Sequence, residues 1–131
     1  MKNKRSGKEV IMPCSIAPWL SVSDGLKALA FYKTAFGAIE VYRLDVPDTV
    51  VARLSINGAE FWVSGEPSDN PNALGGGSVR MILTVSDPDS VFSQAVAAGA
   101  AVVFPVGEDH GWRLGRLIDP FGLNWEIGHP I

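Results

Sequence analysis

Few side chains of this sequence suit proton transfer, nucleophilic attack or metal binding, and they are scattered. Cys14 is the single cysteine, so an intramolecular disulfide framework and a four-cysteine zinc site are both ruled out. No base pattern adjoins it to make a nucleophile, and it is read as inert. The two histidines are His110, in a loop expected over 107–111, and His129, beyond Glu126 on the chain. Alternation along the predicted strands is more informative. One parity collects Leu20, Val22, Trp62, Leu83, Val85, Trp125 and Ile127, an apolar core face. The other collects Ala17, Trp19, Ser21, Val63, Arg80, Ile82, Thr84, Asn124 and Glu126. That second set is apolar and aromatic, with one cation, one anion and a few hydroxyl or amide groups. Such a composition suits a pocket for an organic ligand. Its arginine can grip a carboxylate through paired hydrogen bonds, and its glutamate can take a proton. Trp19 can stack on a flat ligand or plug the face. His110 and Trp112 are candidate contacts because they lie in a loop, where function concentrates. Arg53 and Arg116 are read as solvated sheet residues, and Asp119 as a turn residue.

The chain has 131 residues, 47% of them hydrophobic and 19% charged. This excludes a wholly disordered chain and gives enough length for one core without disulfide or metal support. Net charge is −3, with 11 Lys and Arg against 14 Asp and Glu. Four of the cations, Lys2, Lys4, Arg5 and Lys8, precede the first acid, Glu9. The remainder is therefore acidic, the reverse of a phosphate-binding surface, and nucleic acid is not expected as a partner. No apolar run reads as a membrane span and no signal peptide is recognisable, so a soluble cytoplasmic protein is expected.

An internal repeat sets the organisation. Leu20-Ser21-Val22-Ser23-Asp24 recurs 63 residues later as Leu83-Thr84-Val85-Ser86-Asp87, and Arg53-Leu54 recurs at the same offset as Arg116-Leu117. Trp62 and Gly65 match Trp125 and Gly128, also 63 residues on. Each copy reads as strand, helix, strand, strand, strand. In the first, strands are expected over 16–22, 39–44, 50–56 and 59–64, with a helix capped by Asp24 and ended by Gly37. Asn57-Gly58 marks a hairpin between the last two. In the second, strands are expected over 79–85, 101–106, 113–118 and 123–127, with a helix from Asp87-Pro88 to about residue 98. The expected organisation is a flexible basic tail over 1–14, a first module over 15–66, a Gly/Pro-rich linker over 67–77 and a second module over 78–131, with 15–131 forming one structural domain.

The doubled module, the stretch Phe31-Tyr32-Lys33-Thr34-Ala35-Phe36-Gly37-Ala38 and the stretch Asp119-Pro120-Phe121-Gly122-Leu123-Asn124-Trp125-Glu126 together resemble the vicinal oxygen chelate superfamily. Its members include glyoxalase I, the bleomycin-resistance proteins and extradiol dioxygenases. The resemblance implies an α+β fold, two tandem βαβββ modules forming a curved mixed sheet around a cleft, and commonly a homodimer. In metal-dependent members each module supplies two ligands to a divalent ion, one on its first strand and one on its last. Carried onto this chain, those positions are Ala17, Val63, Arg80 and Glu126. Only Glu126 has a donor suited to a cation. The resemblance therefore implies that Arg80 and Glu126 lie close, with the guanidinium in place of the metal's charge. Two uses are open for the pair: a structural ion pair closing an unused site, or contact with a ligand, with Glu126 as base and Arg80 as stabiliser of developing negative charge. The expected function is small-molecule binding at a cleft without a cofactor, sequestering an organic compound. The alternative is a lyase of the lactoylglutathione lyase type, or a dioxygenase-type enzyme, acting on a small oxygenated substrate with Glu126 as base or metal ligand.

Overall fold

Two aspartates start the two helices. Asp24 is extended at φ −135° and ψ 97°, and its carboxylate accepts from the Lys27 amide; Asp87 does the same for Ser90, with Pro88 opening the helix. These caps satisfy amides that the first turn leaves without partners. In the computed structural model the described residues are 14–47, 49–66 and 79–131. The expected linker over 67–77, and all of the expected tail but Cys14, lie outside them.

The element order is β1 (Trp19–Val22), α1 (Gly25–Phe36), β2 (Ile39–Val46), β3 (Thr49–Ile56), β4 (Ala59–Gly65), β5 (Arg80–Thr84), α2 (Pro88–Ala97), β6 (Ala101–Asp109), β7 (Trp112–Ile118) and β8 (Asn124–Pro130). The expected βαβββ module is therefore present twice. The strands form two four-stranded sheets, β1-β4-β3-β2 and β5-β8-β7-β6. In each, the first strand runs parallel to the last, and the remaining neighbours are antiparallel.

Three local expectations are corrected. The first strand begins at Trp19 rather than residue 16, so Ala17 precedes the sheet and is exposed. The expected loop over 107–111 is mostly strand: β6 runs on to Asp109, and His110-Gly111 alone make the turn, both at positive φ. The third concerns register. Leu20 pairs with Val63, whereas its repeat mate Leu83 pairs with Ile127. The last strands are thus related by an offset of 64, not 63. The extra residue sits in the turn, since Ile56 and Ala59 bracket the Asn57-Gly58 hairpin, while Ile118 and Asn124 bracket a longer connection. A one-residue slip turns every side chain to the other face. Val63 is fully buried on the helix side, and Trp62 takes its place on the open face.

The helix-side faces of both sheets meet in one core. Leu20, Val22, Leu54 and Val63 of the first module join Leu83, Leu117, Trp125 and Ile127 of the second. Tyr32 of α1 stands at the junction, 5.5 Å from the Phe61 ring and 5.7 Å from Trp125. Its hydroxyl donates to Asp119 Oδ2 at 2.6 Å, and Trp125 Nε1 donates to the same oxygen at 2.9 Å. Asp119 Oδ1 accepts from the amides of Phe121 and Leu123. Asp119 is therefore more than a turn residue: one oxygen closes its own turn and the other joins the modules.

Burial, then the Asp119 charge and hydrogen bond, push the Tyr32 phenol well above its ordinary value of 10.0. The sign follows from linkage. Above pH 10 the unfolded phenol loses its proton while the folded one keeps it, so the folded state binds more protons and stability falls as pH rises. The Tyr32 contribution is fully present below pH 10 and should fade above it by about 1.4 kcal/mol per pH unit. Urea unfolding at pH 9 to 11 checks this: Tyr32→Phe should flatten that alkaline limb, and an unchanged limb would refute it.

Candidate functional site

Each sheet covers one face with a helix and leaves the other open. On the second module the open face is built by alternation. Arg80 and Ile82 of β5 stand beside Asn124 and Glu126 of β8, and Arg116 of β7 is the cross-strand partner of Glu126. The expected closeness is present: Arg80 Nε lies 3.3 Å from Glu126 Oε1. The pair is asymmetric, with 41% of the Arg80 side chain exposed but only 12% of Glu126. A cavity of about 360 Å³ opens over it, lined by Arg80, Glu126, Arg116 and Leu114, and by Phe104, Pro105 and 107–109 of β6.

On the first module the open face is aromatic. Trp19 and Trp62 are register partners whose rings stack at 5.6 Å and 18°. Tyr42 meets Trp62 edge-on at 5.9 Å, and the Arg53 guanidinium lies 5.3 Å from the Trp62 ring centroid. Arg53 Nε is also 3.4 Å from Glu60 Oε1, too poorly aligned for a hydrogen bond. Ser21 and Ser64 both donate to Glu66 Oε2 at 3.1 Å.

A third space, about 340 Å³, lies at the seam between modules. Pro18, Ile56 and Phe61 line it from the first, and Met81, Leu83 and Trp125 from the second. Arg80 borders both this seam and the open-face cavity. A space of about 370 Å³ at the start of α1 holds Asp24, Arg43, Asp45 and Thr49. Those groups are committed to a helix cap, an ion pair and a bond to the Gly65 carbonyl.

Of the residues singled out in the sequence, Trp19, Ser21, Arg80, Ile82, Thr84, Asn124 and Glu126 occupy open faces, Trp19 and Ser21 on the first module and the rest on the second. Val63 does not. His110 is fully exposed at its turn, 3.4 Å from Asp109. Trp112 begins β7, and neither it nor His110 lines the cavity. His129 falls on the opposite parity from Glu126. Sequence reasoning missed Trp62, Tyr42, Phe104 and Leu114. It also placed Arg53 and Arg116 in solvent, yet the Nε atoms of both are buried without a hydrogen-bond partner. Their repeat relation was the available signal.

With register corrected, the positions that hold a divalent ion in metal-dependent members of the superfamily are Ala17, Trp62, Arg80 and Glu126. One carboxylate, one guanidinium, an indole and a methyl group do not fit a divalent cation. Among the described residues, no three of His, Cys, Asp and Glu are grouped to hold a metal. Nor is any helix among them long and apolar enough to cross a membrane.

Paired βαβββ modules with this arrangement of open faces define a member of the vicinal oxygen chelate superfamily. More narrowly, the chain belongs to the family described as glyoxalase-like domain, whose profile matches residues 19–127. An uncharacterised protein of Mycobacterium bovis is 39% identical over 128 residues, covering 89% of this chain and 84% of its own length. The crystal structure of TioX from Micromonospora sp. ML1 is similar, with a TM-score of 0.69 and 28% identity over 90% of this chain and 97% of that one. The fosfomycin resistance protein FosX of Listeria monocytogenes shares the fold, with a TM-score of 0.73 and 16% identity over 92% and 96% of the two chains.

Proposed function

We propose that this chain binds a small organic molecule on the open face of its second module without a metal, and sequesters it. The observation that carries this reading is the Arg80–Glu126 pair at 3.3 Å bordering a cavity of about 360 Å³. The guanidinium supplies, at that vertex of the fold, the positive charge a cation supplies elsewhere in the superfamily. Phe104, Pro105 and Leu114 supply the apolar wall that organic ligands need. Both open faces expose large apolar groups, Trp19, Tyr42 and Leu44 on one and Ile82 and Phe104 on the other. Contiguous exposed apolar surface marks an interaction site, and we propose a second copy of the chain as its cover.

The test is a compound library screened by thermal shift in the presence of a chelator, since a ligand of the native state raises stability by mass action. The expected result is a set of stabilising compounds whose effect Arg80→Met removes. A library without hits, or hits indifferent to Arg80, would reject the reading. Light scattering on the same sample should return twice the 14.0 kDa chain mass. A carboxylate beside the cavity also suits a proton acceptor, which favours turnover of the bound compound as the second reading. Product formation abolished by Glu126→Gln with binding retained would establish it.

A further inference from the structure

We infer that the ligand of the second open face is a monoanion, a carboxylate carried on an apolar body, with the carboxylate seated on Arg116. This rests on the small-molecule reading above and adds the charge of the ligand. The ionisable side chains lining the cavity are Arg80, Arg116, Glu108, Asp109 and Glu126. Glu126 is met by Arg80 at 3.3 Å; Glu108, more than half exposed, lies 3.4 Å from Arg113, which is itself held by Asp89 at 2.6 and 2.7 Å. Asp109 sits at the turn with 72% of its side chain exposed, where water screens it. Arg116 has no ion-pair partner among the described residues, and its Nε is buried without a hydrogen bond.

The group whose geometry answers a guanidinium fork is a carboxylate. Phe104, the cross-strand partner of Arg116, holds its ring centroid 5.7 Å from the guanidinium carbon. The ring attracts and restrains the guanidinium without using its N–H donors. One unpaired cation matches one negative charge. A second charge on the ligand would face Glu108 and Asp109 without a further cation to offset them. The repeat-related Arg53 provides the contrast, because Glu60 already stands 3.4 Å from it.

The experiment titrates the full chain with benzoate, benzyl alcohol and benzylammonium, three probes of one shape and different charge. Binding is read from the amide resonances of Phe104, Arg116 and Glu126. Benzoate should shift them saturably and bind most tightly. Arg116→Met should weaken it roughly tenfold or more, Arg116→Lys should weaken it less, and Arg53→Met should leave it unchanged. The lysine variant keeps the test valid if the methionine variant fails to fold. Equal or tighter binding of the alcohol or ammonium at those amides would overturn the monoanion and leave the binding reading standing. Benzoate bound equally well by the Arg116 variants would overturn its seat. If none of the three probes moves those amides, the binding reading falls as well.

Discussion

Replacing Asp119 with alanine should cost on the order of 3–5 kcal/mol, a large fraction of the stability of a typical small domain. The carboxylate is 3% exposed and accepts four hydrogen bonds: from Tyr32, Trp125 and the amides of Phe121 and Leu123. Truncation leaves the Tyr32 hydroxyl, the Trp125 indole N–H and the Leu123 amide buried, and the Phe121 amide partly buried, without that acceptor. Each alone would cost about 1–3 kcal/mol, and their losses overlap because they share one site. Asp119→Asn should fall between, since its amide nitrogen would meet the Trp125 N–H donor to donor. Tyr32→Phe should cost about 1–2 kcal/mol below pH 10, because the other three donors keep their partner. Urea unfolding of the three variants at neutral pH orders them. An alanine variant within about 1 kcal/mol of the parent chain would show that the modules are joined by something other than this carboxylate.

The second large effect is an asymmetry within the Arg80–Glu126 pair. Arg80→Met should destabilise by about 1–3 kcal/mol, because it leaves a carboxylate with 12% exposure facing no cation at ion-pair distance. Glu126→Gln should stay within about 1 kcal/mol, because water reaches the 41% of Arg80 that is exposed. The double variant should be milder than Arg80→Met alone, since the stranded charge is gone. Chemical denaturation of the three variants measures this directly. An Arg80 variant no more costly than the Glu126 one would mean that the acid is solvated and the pair contributes little to shaping the site.

The module grammar was readable because each signal acts locally. Asp24, Asp87, Gly37 and Asn57-Gly58 impose caps, a left-handed exit and a hairpin whatever surrounds them, and all four stand where expected. The repeat placed Trp19 and Ser21 of the first strand correctly, though not Ala17, and with them Arg80 and Ile82. It misplaced Val63 and Trp62 because matching tryptophans suggested one constant offset, while the longer turn at Asp119 adds one residue before the last strand. A turn insertion is nearly invisible in residue type, yet by the period of two it exchanges core for open face. Asp119 read as a turn residue because three of its four hydrogen bonds come from residues no more than six away; the fourth comes from a helix 87 residues away in sequence. Arg116 read as solvated because whether a guanidinium finds a carboxylate is settled by which acids the other strands bring to it. His110 misled because Gly-rich sequence suggested a loop where β6 and β7 meet in a tight turn.

Metal content tests the central claim most directly. Untagged protein is equilibrated with a mixture of zinc, nickel, iron(II) and manganese salts, dialysed, and analysed for bound elements beside Glu126→Ala. With a guanidinium at one vertex and a single carboxylate at another, both proteins should retain far less than one equivalent of any metal. One equivalent held by the parent chain and lost from Glu126→Ala would contradict the account.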